Sequence, residues 1–184
     1  MKVFKVIFSV ILCMVLWSAG VQAATIGFSP ANPTVSLGST FSMDIVGQGF
    51  PVTEGGGVNL SYNKNIVNVL TVTIDDLVWE FLNDTGTINN TTGNLDALWV
   101  ASFAGRGPNF TVATIQFQAV GLGTTPLTMT EYNLNPWASG GSEINPLFNA
   151  GSVNVTAVIP EPASIVLMGT GLAGMLGLAR RKKQ

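Results

Sequence analysis

The sequence predicts an all-β domain of two packed antiparallel sheets, with a secretory signal before it and one transmembrane helix after it. Three observations carry this. Between residues 25 and 157 apolar side chains alternate in short runs of period two, the mark of half-buried strands, and no good helical period competes. The runs are split by clusters of Gly, Asn and Pro, which end strands and make turns. The two ends are instead continuous apolar stretches with lysine or arginine beside them.

At the N-terminus, Lys2 and Lys5 form a positive n-region, residues 6–17 an apolar core, and Val21-Gln22-Ala23 a small-residue cleavage site, so residues 1–23 are expected to be removed before Ala24. An uncleaved anchor is the rival reading, but the apolar run is short for a bilayer. A lipoprotein is disfavoured because Leu12 precedes Cys13 and the cysteine comes early. Cys13 is the only cysteine and leaves with the signal, so the mature chain has no disulfide and depends on a packed core.

The strands follow in order. Phe41, Met43 and Ile45 alternate, as do Val58, Leu60 and Tyr62. Residues 66–74 are rich in β-branched side chains and are expected to be deeply buried. A short helical turn is expected near residues 75–82. Leu95, Ala97, Trp99, Ala101 and Phe103 form one alternating face, and Ala113, Ile115, Phe117 and Ala119 another. Val153, Val155 and Ala157 close the series. Turn clusters separate the runs at Gly47-Gln48-Gly49, Glu54-Gly55-Gly56-Gly57, residues 89–94, residues 105–108 and Ala138-Ser139-Gly140-Gly141. About eight to ten strands at this spacing suggest a sandwich, and about 135 residues suffice for it to bury one core.

The opening strand 34–41, with its Val-x-x-Gly-x-x-Phe pattern, the segment 57–63 and the strand 66–69 together resemble a cohesin-type domain. So do residues 110–119 and the closing residues 149–155. The resemblance spans most of residues 34–156 and implies a nine-stranded jelly roll that binds rather than catalyses. One departure is Asn63, where the family often has Asp; the missing carboxylate weakens any metal or partner contact made there.

Catalytic chemistry is poorly supplied. The chain contains no histidine, and without His or a mature Cys the Ser-His-Asp, Cys-His and most zinc arrangements are excluded. The acidic residues in and near residues 75–96 are expected to be solvated loop charges rather than a glycosidase pair. Asp75, Asp76, Glu80 and Asp84 do gather hard oxygen ligands in one irregular stretch, with Asn83, Asn89 and Asn90 nearby, and are the candidates for a structural calcium; no other cofactor is indicated. Between Ala24 and Ile159 two basic residues, Lys64 and Arg106, face nine acidic ones, a net −7 that argues against a nucleic-acid partner. Trp99, in an alternating strand, is expected in the core. Trp79 and Trp137 are the candidates to present flat rings to a sugar, with packing under a loop as the alternative. Asn59, Asn83, Asn89, Asn90, Asn109 and Asn154 each begin an N-x-S/T triplet, which matters only in a host that glycosylates.

The C-terminal stretch holds two conflicting signals. Gly169-Thr170-Gly171-Leu172-Ala173-Gly174 fits G-x-G-x-x-G, yet no βαβ unit surrounds it and the chain ends ten residues later, so nucleotide binding is rejected. Residues 163–179 carry no charge and suit a short transmembrane helix. Arg180, Arg181, Lys182 and Lys183 follow at once and would stay cytoplasmic, leaving the body outside. Gly169, Ala173 and Gly177 then form a small-residue face for helix packing. Before the helix, Pro160-Glu161-Pro162 resists both helix and strand interior and stays extended. This order of extended tripeptide, apolar helix and basic cluster resembles the PEP-CTERM sorting signal, with residues 158–184 as the signal; a plain C-terminal anchor is the alternative. The resemblance implies a Gram-negative host that makes exopolysaccharide, transient anchoring in the inner membrane with the body in the periplasm, and cleavage near the tripeptide by a membrane-embedded exosortase. It also implies delivery to the outer surface or extracellular matrix. Residues 24–157 are therefore expected to be a secreted, non-enzymatic sandwich linked to the exopolysaccharide or biofilm matrix. The alternatives are a cohesin-like module docking a protein partner and a carbohydrate-binding module.

Overall fold

A computed structural model describes residues 23–158. The expected signal segment up to residue 22, and everything from residue 159 on, lie outside the described residues. Within them the chain is all-β, as two sheets face to face. The first sheet has the order β13 (Leu147–Phe148), β1 (Thr25–Ser29), β3 (Thr40–Gln48), β9 (Phe110–Ala119), β5 (Val67–Thr73). The second runs β12 (Ser142–Glu143), β11 (Ala138–Ser139), β4 (Thr53–Ser61), β10 (Gly123–Glu131), β14 (Gly151–Thr156), β2 (Thr34–Ser36). On its other side β4 pairs with β8 (Asn94–Arg106), which carries β6 (Leu82–Asp84) and β7 (Thr87–Asn89). The excess over the expected strand number consists of two- and three-residue strands.

The first segment of chain serves both sheets. β1 pairs with β3 and β13, then the chain crosses through Pro30 and Pro33, and β2 pairs in parallel with β14. Proline supplies no ladder donor, so the strand breaks where it must change sheets. Between the sheets, the alternating residues predicted for β3, β9 and β14 interdigitate: Met43, Ile45, Ile115, Phe117, Val153 and Val155 are all buried. Phe41 and Phe117 stack with ring centroids 5.4 Å apart.

Three local expectations need correction. Residues 66–74 are buried only in part: Val67, Val69 and Ile74 are in the core, but β5 is the edge of its sheet, a bulge between Val69 and Thr71 turns Leu70 outward, and Thr71 and Thr73 are exposed. The glycine run at 55–57 is not a turn but the inside of β4. There a Cβ on Gly56 would collide with the Trp137 indole, and one on Gly55, whose φ is +135°, with the Val100 carbonyl. Glycine is needed because another backbone and a large ring lie against the strand. Trp99 and Phe103 do not face the core. A bulge between Leu95 and Leu98, with Ala97 at φ 61°, moves the buried face to Leu98, Val100 and Ser102. Trp99 is consequently half-buried on the outer face, and Phe103 is 77% exposed.

Other expectations hold. Asp75 to Trp79 makes one helical turn, the N–H groups of Val78 and Trp79 both donating to the Asp75 carbonyl. Gly140 and Gly141, at φ 58° and 73°, form the tight β11–β12 hairpin turn.

Candidate functional site

The two tryptophans expected to face a ligand lie in the core. Trp79 is 1% exposed and Trp137 0%. The 75–79 turn drives Trp79 inward, where its Nε1 donates to the Thr111 carbonyl at 2.9 Å. Trp137 lies over Gly56 and stacks against Phe110, which meets Trp79 edge-on with centroids 5.3 Å apart. Phe50 completes this aromatic cluster. Their rings fill the space between the sheets, so neither tryptophan is a surface platform for sugar.

The carboxylates proposed for calcium do not converge. Asp75 Oδ1 accepts the Leu77 N–H at 2.9 Å, Asp84 Oδ1 the Gly86 N–H at 2.9 Å, and Asp76 Oδ1 the Asn83 amide at 2.9 Å. The Asp75 and Asp84 bonds are turn-making bonds to the backbone two residues on, and the Asp76 bond ties the turn to β6. Glu80 faces another way: its Oε1 accepts the Ser102 hydroxyl at 3.0 Å and the Ala104 N–H at 3.2 Å, and its Oε2 meets Arg106 Nη2 at 2.9 Å. Hydrogen bonds from its own backbone N–H and that of Ala104, aided by Ser102 and Arg106, hold its pKa down to about 2. Among the described residues no three acidic side chains come together as a metal would require.

The chain instead gathers apolar surface where β6 and β8 meet. Phe81 is 46% exposed, Leu82 53% and Phe103 77%, and the two phenylalanine rings are tilted together with centroids 3.8 Å apart. Beside them is a cleft of about 280 Å³ lined by Glu54, Gly55, Ala101, Asn135 and Pro136. Phe81 reaches this position because its N–H bonds to the Ala101 carbonyl, which starts the β6 pairing. Phe103 reaches it through the Ala97 bulge. Sequence reading missed this pair because β8 is apolar on both faces. A second alternation through Leu98 and Val100 was the available signal.

Asn63 stays at the β4–β5 corner, where its Oδ1 accepts the Asn65 N–H and its N–H donates to the Thr125 hydroxyl. Pro160, Glu161, Pro162, Arg180, Arg181, Lys182 and Lys183 lie outside the described residues. Among the described residues no helix is long and apolar enough to cross a membrane.

Comparison with known proteins bears on both halves of the chain. Residues 158–183 match the family model described as the PEP-CTERM protein-sorting motif. The sandwich is similar to a cohesin from Clostridium thermocellum solved in a cohesin–dockerin complex, with TM-score 0.62 and 12% identity over 73% of this chain and 100% of that one. It is similar to a non-cellulosomal cohesin from the archaeon Archaeoglobus fulgidus, with TM-score 0.61 and 14% identity over 74% and 93%. A third similar structure, the solution structure of CaCohA2 from Clostridium acetobutylicum, has TM-score 0.58 and 14% identity over 78% and 97%. No curated protein matches the chain. At these identities the structural matches establish the fold alone. The motif implies export and sorting to the cell surface. The chain thus carries a PEP-CTERM sorting motif at its C-terminus, behind a two-sheet β-sandwich that matches cohesins in structure.

Proposed function

We propose that this is a non-enzymatic surface or matrix protein of a Gram-negative bacterium, whose sandwich binds a protein partner after an exosortase has cut near Pro160-Glu161-Pro162. The observation that carries the binding reading is the Phe81–Phe103 pair beside its cleft. Large apolar rings exposed together lose free energy in water and recover it under a partner. A docking role is favoured over a sugar platform because the rings that are exposed are these, while Trp79 and Trp137 are buried. The cohesin-like fold and the sorting motif both support binding rather than catalysis.

The test is made in the native host, by measuring how much processed protein stays with the matrix fraction. Changing Phe81→Ser and Phe103→Ser should leave export and processing intact and lower retention by about tenfold or more, the loss expected for two aromatic anchors. Unchanged retention of a normally exported double variant would reject the docking face.

A further inference from the structure

The outer face of the first sheet carries a separate groove of about 880 Å³, within the range of about 300–1,000 Å³ typical of ligand sites. Its floor is one cross-strand row: Asp44 on β3 faces Thr114 on β9, and Thr114 faces Thr73 on β5. One wall is the 75–79 turn with Asp75 and Leu77, and the other is the β8–β9 connection with Asn109.

The walls are tied to each other and to the floor. Arg106 Nε donates to the Val78 carbonyl at 2.6 Å, its Nη2 meets Glu80, and the Trp79 indole bonds to the Thr111 carbonyl. A ligand entering the groove therefore meets side chains already in place, and little ordering cost opposes binding.

The available chemistry is selective. Asp44 Oδ1 takes the Thr114 hydroxyl at 2.6 Å and Asp75 Oδ1 takes the Leu77 N–H, which leaves the second oxygen of each to accept from a ligand. Asn109 Oδ1 takes the Gly49 N–H, so its amide nitrogen remains to donate. Thr73 and Thr111 add hydroxyls. The one cation in the lining, Arg106, is occupied by Val78, Gly105 and Glu80. With a domain charge of −7, nothing here favours an anion. Leu77, 89% exposed, gives the wall an apolar tip against which a C–H face can pack.

Away from the groove the same face continues as two uncharged polar rows, Ser42–Gln116–Thr71 and Thr40–Gln118–Asn68. Successive rows on one face lie two residues apart, about 6.6 Å. This is a track of hydroxyls and amides leading out of the groove, which suits a polymer better than a compact molecule.

We propose that the groove and its polar track bind a segment of an uncharged polysaccharide, with Asp44 and Asp75 accepting sugar hydroxyls. The site lies on the sheet opposite to the Phe81–Phe103 face and does not depend on the docking reading.

The test is affinity electrophoresis of the processed protein purified from its host. Gels would contain the neutral polymers galactomannan, dextran or mixed-linkage β-glucan, or the anionic polymer alginate. The expected result is retardation by at least one neutral polymer and none by alginate. Asp44→Asn combined with Thr73→Ala should weaken that retardation at least tenfold with an unchanged melting temperature. Thr73→Ala alone should weaken it partially, and Phe103→Ser should leave it intact. Retardation by none of the neutral polymers, equal retardation by alginate, or full retardation of the double variant would overturn the assignment. A loss caused by Phe103→Ser would place glycan binding on the other sheet and also overturn it.

Discussion

Glu80 and Tyr62 show how single polar residues bind this fold together, and each makes stability depend on pH. Glu80 joins the 75–80 segment to β8 through Ser102, Ala104 and Arg106. Its folded pKa of about 2 is below the unfolded value near 4.3, so its contribution is complete above the unfolded value and is lost as pH falls toward 2. Acid titration of the melting temperature should therefore show a decline between about pH 4.5 and 2 that Glu80→Gln flattens; an identical decline in the variant would refute this. Tyr62 works at the other extreme. Burial pushes its hydroxyl pKa above the ordinary 10, and the hydroxyl donates to Asn90 Oδ1 at 2.7 Å. The stabilisation is present below the unfolded pKa and is lost as pH rises through the folded one. Tyr62→Phe should cost about 1 kcal/mol at neutral pH, since Asn90 Oδ1 keeps the Val69 N–H, and should remove alkaline sensitivity from this site. The tryptophans were the least legible residues. Whether an indole in a loop faces in or out depends on the direction in which a turn aims it, and composition carries no such direction. The Asp75 turn aims Trp79 at Thr111, and the space above Gly56 receives Trp137.

At the scale of elements, alternation identified β3, β9 and β14 because each has one apolar face and runs unbroken or nearly so. It inverted β8 because one extra residue at a bulge exchanges the faces of everything after it. Ala97 sits at that bulge with φ 61°, its N–H held by Asn59 Oδ1 at 2.8 Å. A left-handed conformation costs a non-glycine residue about 1–2 kcal/mol. Ala97→Gly should therefore raise the melting temperature by a few degrees, even after the added chain entropy of glycine. A lower melting temperature would show that the strain is not there. The opposite change belongs in β4: Gly56→Ala should destabilise by about 1–3 kcal/mol or more, because its Cβ meets the Trp137 ring. A denaturant midpoint equal to wild type would contradict that packing. Glycines in sequence suggested a turn here, since glycine serves turns and close approach equally; only the partner against the strand distinguishes the two uses. The candidate binding surfaces were illegible for a related reason. The groove's floor comes from β3, β5 and β9, which are separated in sequence and joined only by register.

Over the whole molecule, the topology gives the sandwich two different ends. Thr156, where β14 stops, accepts the Leu37 N–H and lies beside the β2–β3 turn and the start of β10. The Phe81–Phe103 pair and the groove lie toward the other end, near the β8–β9 connection. A domain held by its C-terminus would thus present the Phe81–Phe103 pair and the groove away from its attachment, with the polar track running back toward it. The sorting segment was the most legible part of the chain, because its three parts are contiguous and each has its own physical signature: two prolines, seventeen uncharged residues and four adjacent cations. The sandwich was legible in class and less so in register, and its partners least of all. The intact mass of the protein recovered from its host decides whether the C-terminal segment is a tag removed during sorting. Removal leaves a mass beginning at Ala24 and ending near Pro160, with or without an added group. A mass that continues through Arg180 to Gln184 would contradict removal and make the helix a permanent anchor.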